Sequence, residues 1–242
     1  MSINTEIKVG VSCVTHCSDK INPMGHKSLS LFLESFFDSL KYDNFSVFIV
    51  DNSSDVKFNH KLLEDKRVTY IYIKDQIKHG GLTGAWNLGV RKCFDDGCDV
   101  ILNSNDDVIF NFTINNMINT IHTVPFSDVG LFGPICNSEG VSTPHQKREE
   151  MCISEKIIET TMEGYALNGF FMGFSKHFFE KFNVNGNLFS TNPRDMWGGQ
   201  EVELFKRNTP LDMRSFILEN CYLHHSKYQS WLKARETLGK ID

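Results

Sequence analysis

Three polar runs in the first 110 residues each close an apolar stretch: Thr15-His16, Asp51-Asn52-Ser53-Ser54, and Asn103-Ser104-Asn105-Asp106-Asp107. The adjacent carboxylates Asp106 and Asp107 suit a hard divalent cation, which can bridge the phosphates of a nucleotide. The Asp51 carboxylate accepts hydrogen bonds only, so it suits a base N–H or ribose hydroxyls. Asn, Asp and Ser also close turns and cap helices, and any one run by itself reads best that way. Three such runs on successive strand ends shift the reading toward a nucleotide. Further along stand Asn168-Gly169, then Trp197-Gly198-Gly199-Gln200-Glu201, then His224-His225. Backbone amides after a Gly-Gly pair can approach a sugar or phosphate closely. A Glu in a first helical turn is favoured by the helix dipole, which is the plain explanation of Glu201 and Glu203.

The elements that would position these groups alternate. Ile7–Val14, Phe45–Val50, Val68–Ile73 and Asp99–Asn103 read as strands, with a further short strand at Val129–Phe132. Helical spacing of apolar residues marks Ser28–Leu40, and helices are also expected over Thr83–Phe94 (after the Gly80-Gly81 break), Ile114–His122, Lys176–Phe182 and Gln200–Arg207. Near-continuous apolar strands alternating with helices predict an α/β fold, with a Rossmann-like, mostly parallel sheet covered on both faces. Ligands of such sheets sit at the carboxyl ends of the strands. Asn137–Glu150 reads as a mobile polar loop, and Tyr165–Phe174 as a Gly- and aromatic-rich stretch. With no linker or repeat in evidence, residues 1–242 are expected to form one domain.

Composition narrows the classes. The chain has 242 residues, a net charge of −5, 40% hydrophobic and 23% charged residues, which fits a folded domain and offers no basic footprint for duplex nucleic acid. No apolar run reaches the ~20 residues of a membrane span, and Met1–Glu6 lacks the pattern of a signal peptide. A cytoplasmic location is the expectation. The 7 cysteines are odd in number and scattered, and Cys13-x-x-His16-Cys17 has no second half-site, so neither disulfides nor structural zinc is expected. His16, His26, His60, His79, His122, His145 and His177 show no ligand spacing.

Val50-Asp51-Asn52-Ser53-Ser54-Asp55, Gly81-Leu82-Thr83-Gly84-Ala85-Trp86-Asn87-Leu88-Gly89 and Leu102-Asn103-Ser104-Asn105-Asp106-Asp107 together resemble a family-2 glycosyltransferase of the GT-A fold. The resemblance covers about residues 7–110 and implies the nucleotide-binding half. It implies that Thr15, Asp51, Asn52, Ser53 and Asn87 line the nucleotide pocket and that Asn105-Asp106-Asp107 is the D-x-D element, with Asn in its first place. Asn brings no charge there, which would weaken a metal. Residues 111–242 would form the acceptor and catalytic half. In it, Asn168-Gly169-Phe170-Phe171-Met172-Gly173-Phe174 and Trp197-Gly198-Gly199-Gln200-Glu201-Val202-Glu203-Leu204 are similar to the catalytic module of galactosyltransferases, with Glu201 in the place of the catalytic Asp. His224-His225-Ser226 resembles the element whose His binds the metal.

The resemblance implies an inverting transferase that moves a sugar from a nucleotide-diphosphate sugar, UDP by default, to an acceptor hydroxyl. Mn²⁺ or Mg²⁺ would sit on Asp107 and His225, with His224 as the alternative, and Glu201 would be the general base. Asn105, Asp106, Asn168, Gly169, Trp197 and Gly199 would meet the donor or its sugar, with Trp197 and Tyr165 stacking on sugar faces. Two other classes remain. A sugar nucleotidyltransferase should carry a basic, Gly-rich loop after the first strand, where this chain has Val14-Thr15-His16-Cys17-Ser18-Asp19. A non-catalytic sugar-binding domain would keep the aromatic residues and have no use for Glu201 beside a metal site.

Overall fold

All seven residues of the first strand, β1 (Val9–Thr15), are buried, so both of its faces and both of its edges must be covered. The computed structural model describes residues 7–124, 130–137, 143–160, 167–192 and 199–226. It places β1 between β2 (Phe45–Asn52) and β4 (Val100–Asn105), both parallel to it, with β3 (Val68–Ile73) continuing beyond β2. Next comes β9 (Phe171–Ser175), antiparallel to β4, then β6 (Leu131–Asn137) and β10 (Ser215–His225), the last two parallel to each other. Short strands β5 (Val108–Ile109), β7 (Lys147–Arg148) and β8 (Ile157–Thr160) flank this half.

Helices cover both faces, as their apolar stripes require. One face carries α1 (Gly25–Ser39) and α3 (Ile114–Thr123), whose Leu29, Phe32, Phe36, Met117 and Ile121 pack on Val11, Cys13 and Leu102. Phe32 meets Phe110 edge-on at 5.0 Å between ring centres, an aromatic pair worth about 0.5–1.5 kcal/mol beyond its buried area. The other face carries α2 (Gly81–Asp95), α4 (Lys176–Phe182) and α5 (Gln200–Asn208), with Trp86, Val90, Phe178 and Leu204 against Val14, Ile101 and Phe174.

The sheet is mostly parallel, as expected, with β9 entering antiparallel between β4 and β6. Its Gly173 lies under the Phe132 ring, where a Cβ would sit 2.1 Å from Cε2, so only glycine lets the two strands meet there. The strand expected at 129–132 runs instead over Leu131–Asn137, continuing through Gly133-Pro134. Within the stretch read as a mobile loop, Thr143 and Gln146 are buried and Lys147–Arg148 pairs with β6.

Candidate active site

In register, Thr15 of β1 lies beside Asp51 of β2, and Val14 beside Asn105 of β4, so the three polar strand ends share one edge of the sheet. Thr15 Oγ1 donates to Asp106 Oδ2 at 2.6 Å, tying the first end to the third. Burial and the neighbouring Asp107 charge push the Asp106 carboxyl well above the ordinary range.

Asp51 is tied into the fold by both carboxylate oxygens. It is 0% exposed, its Oδ1 accepts the Ser54 N–H at 2.8 Å, and its Oδ2 accepts the Tyr70 hydroxyl. Oδ1 thereby closes the turn after β2, and Oδ2 ties β2 to β3. The turn itself is knit to the loop after β1: Ser54 Oγ accepts the Cys17 N–H at 2.8 Å, and the Asp55 N–H donates to Cys17 O at 2.9 Å. Asn52 O is bonded to His16 Nδ1, and Ser53, at φ +67°, donates its hydroxyl to Ile73 O.

Asn87 is likewise a brace. Its Nδ2 donates to Phe189 O at 3.1 Å and its Oδ1 accepts the Phe189 N–H at 3.0 Å, which fixes the segment after α4 to α2. A second tie joins α2 to α5: buried Gln200 Nε2 donates to Thr83 Oγ1 at 3.0 Å. Both helices start from a left-handed glycine, Gly80 (φ +92°) and Gly199 (φ +80°).

At the other end of the edge, β5 and β10 run antiparallel with His225 opposite Val108 and His224 opposite Ile109. Alternation along the strand turns the two histidines to opposite faces. His224 is exposed, whereas His225 points inward and brings Nε2 to 3.0 Å from Asp107 Oδ1, with side chains 7% and 11% exposed. Asn137, at the end of β6, clamps the His225 backbone: its Oδ1 accepts the His225 N–H at 2.7 Å and its Nδ2 donates to His225 O at 3.2 Å. The Phe170 ring stacks on the imidazole at 4.8 Å.

The pair fits a divalent ion. Two neighbouring ligands of an octahedral ion, each at about 2.1 Å, lie about 3 Å apart, which is the separation found. No group of three or more His, Cys, Asp or Glu side chains placed to hold a metal ion occurs among the described residues. Such an ion would therefore take its other ligands from substrate oxygens and water, as Mg²⁺-type sites do beside phosphates.

Glu201 stands in the first turn of α5, half-buried, with its carboxylate against Gly169: a Cβ there would lie 2.9 Å from Oε2. The Gly169 backbone hydrogen-bonds the carboxylate, yet burial outweighs this and pushes the Glu201 carboxyl up. Glu203 instead pairs with Arg207 one turn on, at 3.0 Å. Asn168 Oδ1 accepts the Phe170 N–H at 3.3 Å, and Phe170 O accepts the Asn105 N–H at 2.9 Å. One turn, Asn168-Gly169-Phe170, thus touches Glu201, His225 and the end of β4. Trp197, with Gly198 and Tyr165, lies outside the described residues.

Comparison with known proteins now decides the family. The model of "Glycosyl transferase family 2" matches residues 26–185, well over half of the chain. This chain belongs to glycosyl transferase family 2. The family makes glycosyl transfer the class of activity. The fold agrees with that of solved GT-A enzymes. A crystal structure of GalNAc-T7 with UDP, GalNAc and Mn²⁺ superposes with a TM-score of 0.62 at 12% identity, covering 90% of this chain and 44% of that one. Residues 1–349 of S. aureus TarS superpose with a TM-score of 0.58 at 15% identity, covering 98% and 67%. This family-2 chain therefore spans less than half the length of the GalNAc-T7 structure. No curated protein matches the sequence significantly.

Sequence reasoning missed Gln146, Asn137, Tyr70 and Phe170. Asn137 is a polar residue ending a strand, the signal that marked Asn105. Gln146 carries no such signal.

Proposed function

We propose that this chain transfers a sugar from a UDP-sugar to an acceptor hydroxyl with inversion at the anomeric carbon, using Mn²⁺ or Mg²⁺. One observation carries the reading: a three-residue turn touches both the half-buried Glu201 and, through Phe170, the carboxylate–imidazole pair of Asp107 and His225. Asp107 and His225 would hold the ion, which when bound neutralises the leaving diphosphate. Glu201 takes the proton of the acceptor hydroxyl. Its raised affinity for protons suits a base, because proton transfer works best when the pKa lies near the working pH. Burial and backbone amides set that pKa, with no neighbouring carboxylate among the described residues contributing. A lone base of this kind supports direct, inverting attack over a covalent intermediate.

The donor lies along the strand edge. Asn52, Ser53 and Asn105 form its floor with Thr15 and Asp106 beneath, and Asn168, Gly169, Gly199 and Trp197 meet the sugar. UDP and Mn²⁺ as the leaving group and metal are supported by the ligands of the GalNAc-T7 crystal structure. A panel of nucleotide sugars with Mn²⁺, read by UDP release with water as acceptor, tests this. One donor should stand out, and Glu201→Gln should slow its turnover by ~10²–10⁴ with donor KM nearly unchanged. Full turnover in Glu201→Gln removes it as the base.

A further inference from the structure

Gln146 sits in a polar stretch with no chemistry of its own, yet its side chain is 0% exposed and its amide is engaged at both ends. Nε2 donates to Pro134 O of β6 at 2.9 Å, and Oε1 accepts the Asn168 N–H at 2.7 Å. Its backbone is anchored as well: the Cys136 N–H donates to Gln146 O at 2.7 Å, and the Gln146 N–H donates to Thr143 O at 3.2 Å. An amide with both donor and acceptor can join a carbonyl to an N–H in one span, and burying it is costly unless both ends are bonded. The N–H that Gln146 holds is the one that opens the Asn168-Gly169-Phe170 turn.

We propose that Gln146 is a positioning residue for glycosyl transfer, holding the 168–170 turn on β6 so that Gly169 sets the Glu201 carboxylate while Phe170 sets the His225 ring. The inference rests on the roles proposed above for Glu201 and His225. It adds that base and metal ligand share one support, and that this support is fastened from a third element. A base displaced by about 1 Å can cost a hundredfold in rate while binding is kept, because only the reacting geometry is lost.

Three variants of the full chain test it, by UDP release and melting in parallel. Gln146→Met fills the space and loses both bonds. Gln146→Asn keeps an amide that is one methylene too short to reach both partners. Gln146→Glu keeps the acceptor for the Asn168 N–H but turns a carboxylate oxygen toward Pro134 O. Met and Asn should lower kcat at least tenfold, with any rise in donor KM the smaller effect. Glu should retain kcat within about threefold although it melts lowest of the three. Should Met fail to fold, the contrast between Asn and Glu carries the test alone. Turnover that follows melting temperature, or wild-type kcat in Met or Asn, overturns the inference. Glu201→Gln in the same assay separates the two levels. If it stays active, the base assignment is wrong; if it is slow while Gln146→Asn is fast, only the positioning role falls.

Discussion

Glu201→Gln should have two effects of opposite sign. Burial raises the folded-state pKa of this carboxyl, so the folded protein holds its proton more tightly than the unfolded chain. The stability that comes with the proton is complete below the ordinary value near 4.5 and is lost as pH rises through the raised one. At neutral pH the ionised carboxylate therefore destabilises the fold, and Glu201→Gln should melt higher than wild type there while turnover collapses. An equal or lower melting temperature at pH 7 would show that Glu201 is solvated in the folded state. Gly169→Ala probes the same group from outside. Its Cβ would meet Glu201 Oε2 at 2.9 Å, the movable end of a side chain, so the protein should fold while the carboxylate shifts and turnover drops at least tenfold. For Asp51 the expectation is the reverse. Asp51→Ala leaves the Ser54 N–H and Tyr70 hydroxyl without their partner, a cost of about 1–3 kcal/mol that appears as a lower melting temperature, with donor KM rising far less than for a lost ligand contact.

At the scale of elements, the ties between helices should matter more than the helices' own caps. Neither α2 nor α5 has a side-chain cap, and their first turns are joined by Gln200 and Thr83. Thr83→Val keeps the shape and removes the acceptor, leaving a buried amide N–H short of its partner. It should cost about 1–3 kcal/mol and lower kcat, whereas Thr83→Ser should restore both. Equal melting and turnover for the Val and Ser variants would mean that the tie does not hold α5 in place. The first half of the fold was legible because its strands are short, apolar and β-branched: Val68–Ile73 forms with the bounds read from sequence. The second half was not, because its signals cancel. Gly173, in β9, weakens a strand pattern but is needed under Phe132, and the eleven-residue β10 is interrupted by Glu219-Asn220, where its register with β6 shifts. At the site, adjacency marked the pair Asp106 and Asp107, and the family resemblance singled out Asp107 and His225. Neither signal could show that Asp51 and Asn87 are braced inside the fold, since the partners Tyr70 and Phe189 lie 19 and 102 residues away.

Across the whole molecule the net charge is −5, and at the sheet edge buried Asp106 stands beside Asp107, which pairs with His225. Among the described residues, no helix is long and apolar enough to cross a membrane. An ion and nucleotide that bind the folded state alone should stabilise it by about 2.7 kcal/mol at a hundredfold excess over Kd. Acid should act at a distant point as well. Asp65 is held down to about 2 by its two-pronged bond to Arg67, so that pair's contribution persists above the ordinary carboxylate pKa and is lost as pH falls through about 2. The central claim, that Asp107 and His225 hold a metal which in turn holds a nucleoside diphosphate, needs no knowledge of sugar or acceptor to test. Calorimetric titration of UDP into the protein, with and without Mn²⁺, should show binding that requires the metal, is abolished in Asp107→Ala and is weakened in His225→Ala. UDP affinity that is the same with and without Mn²⁺, or unchanged in Asp107→Ala, would contradict it.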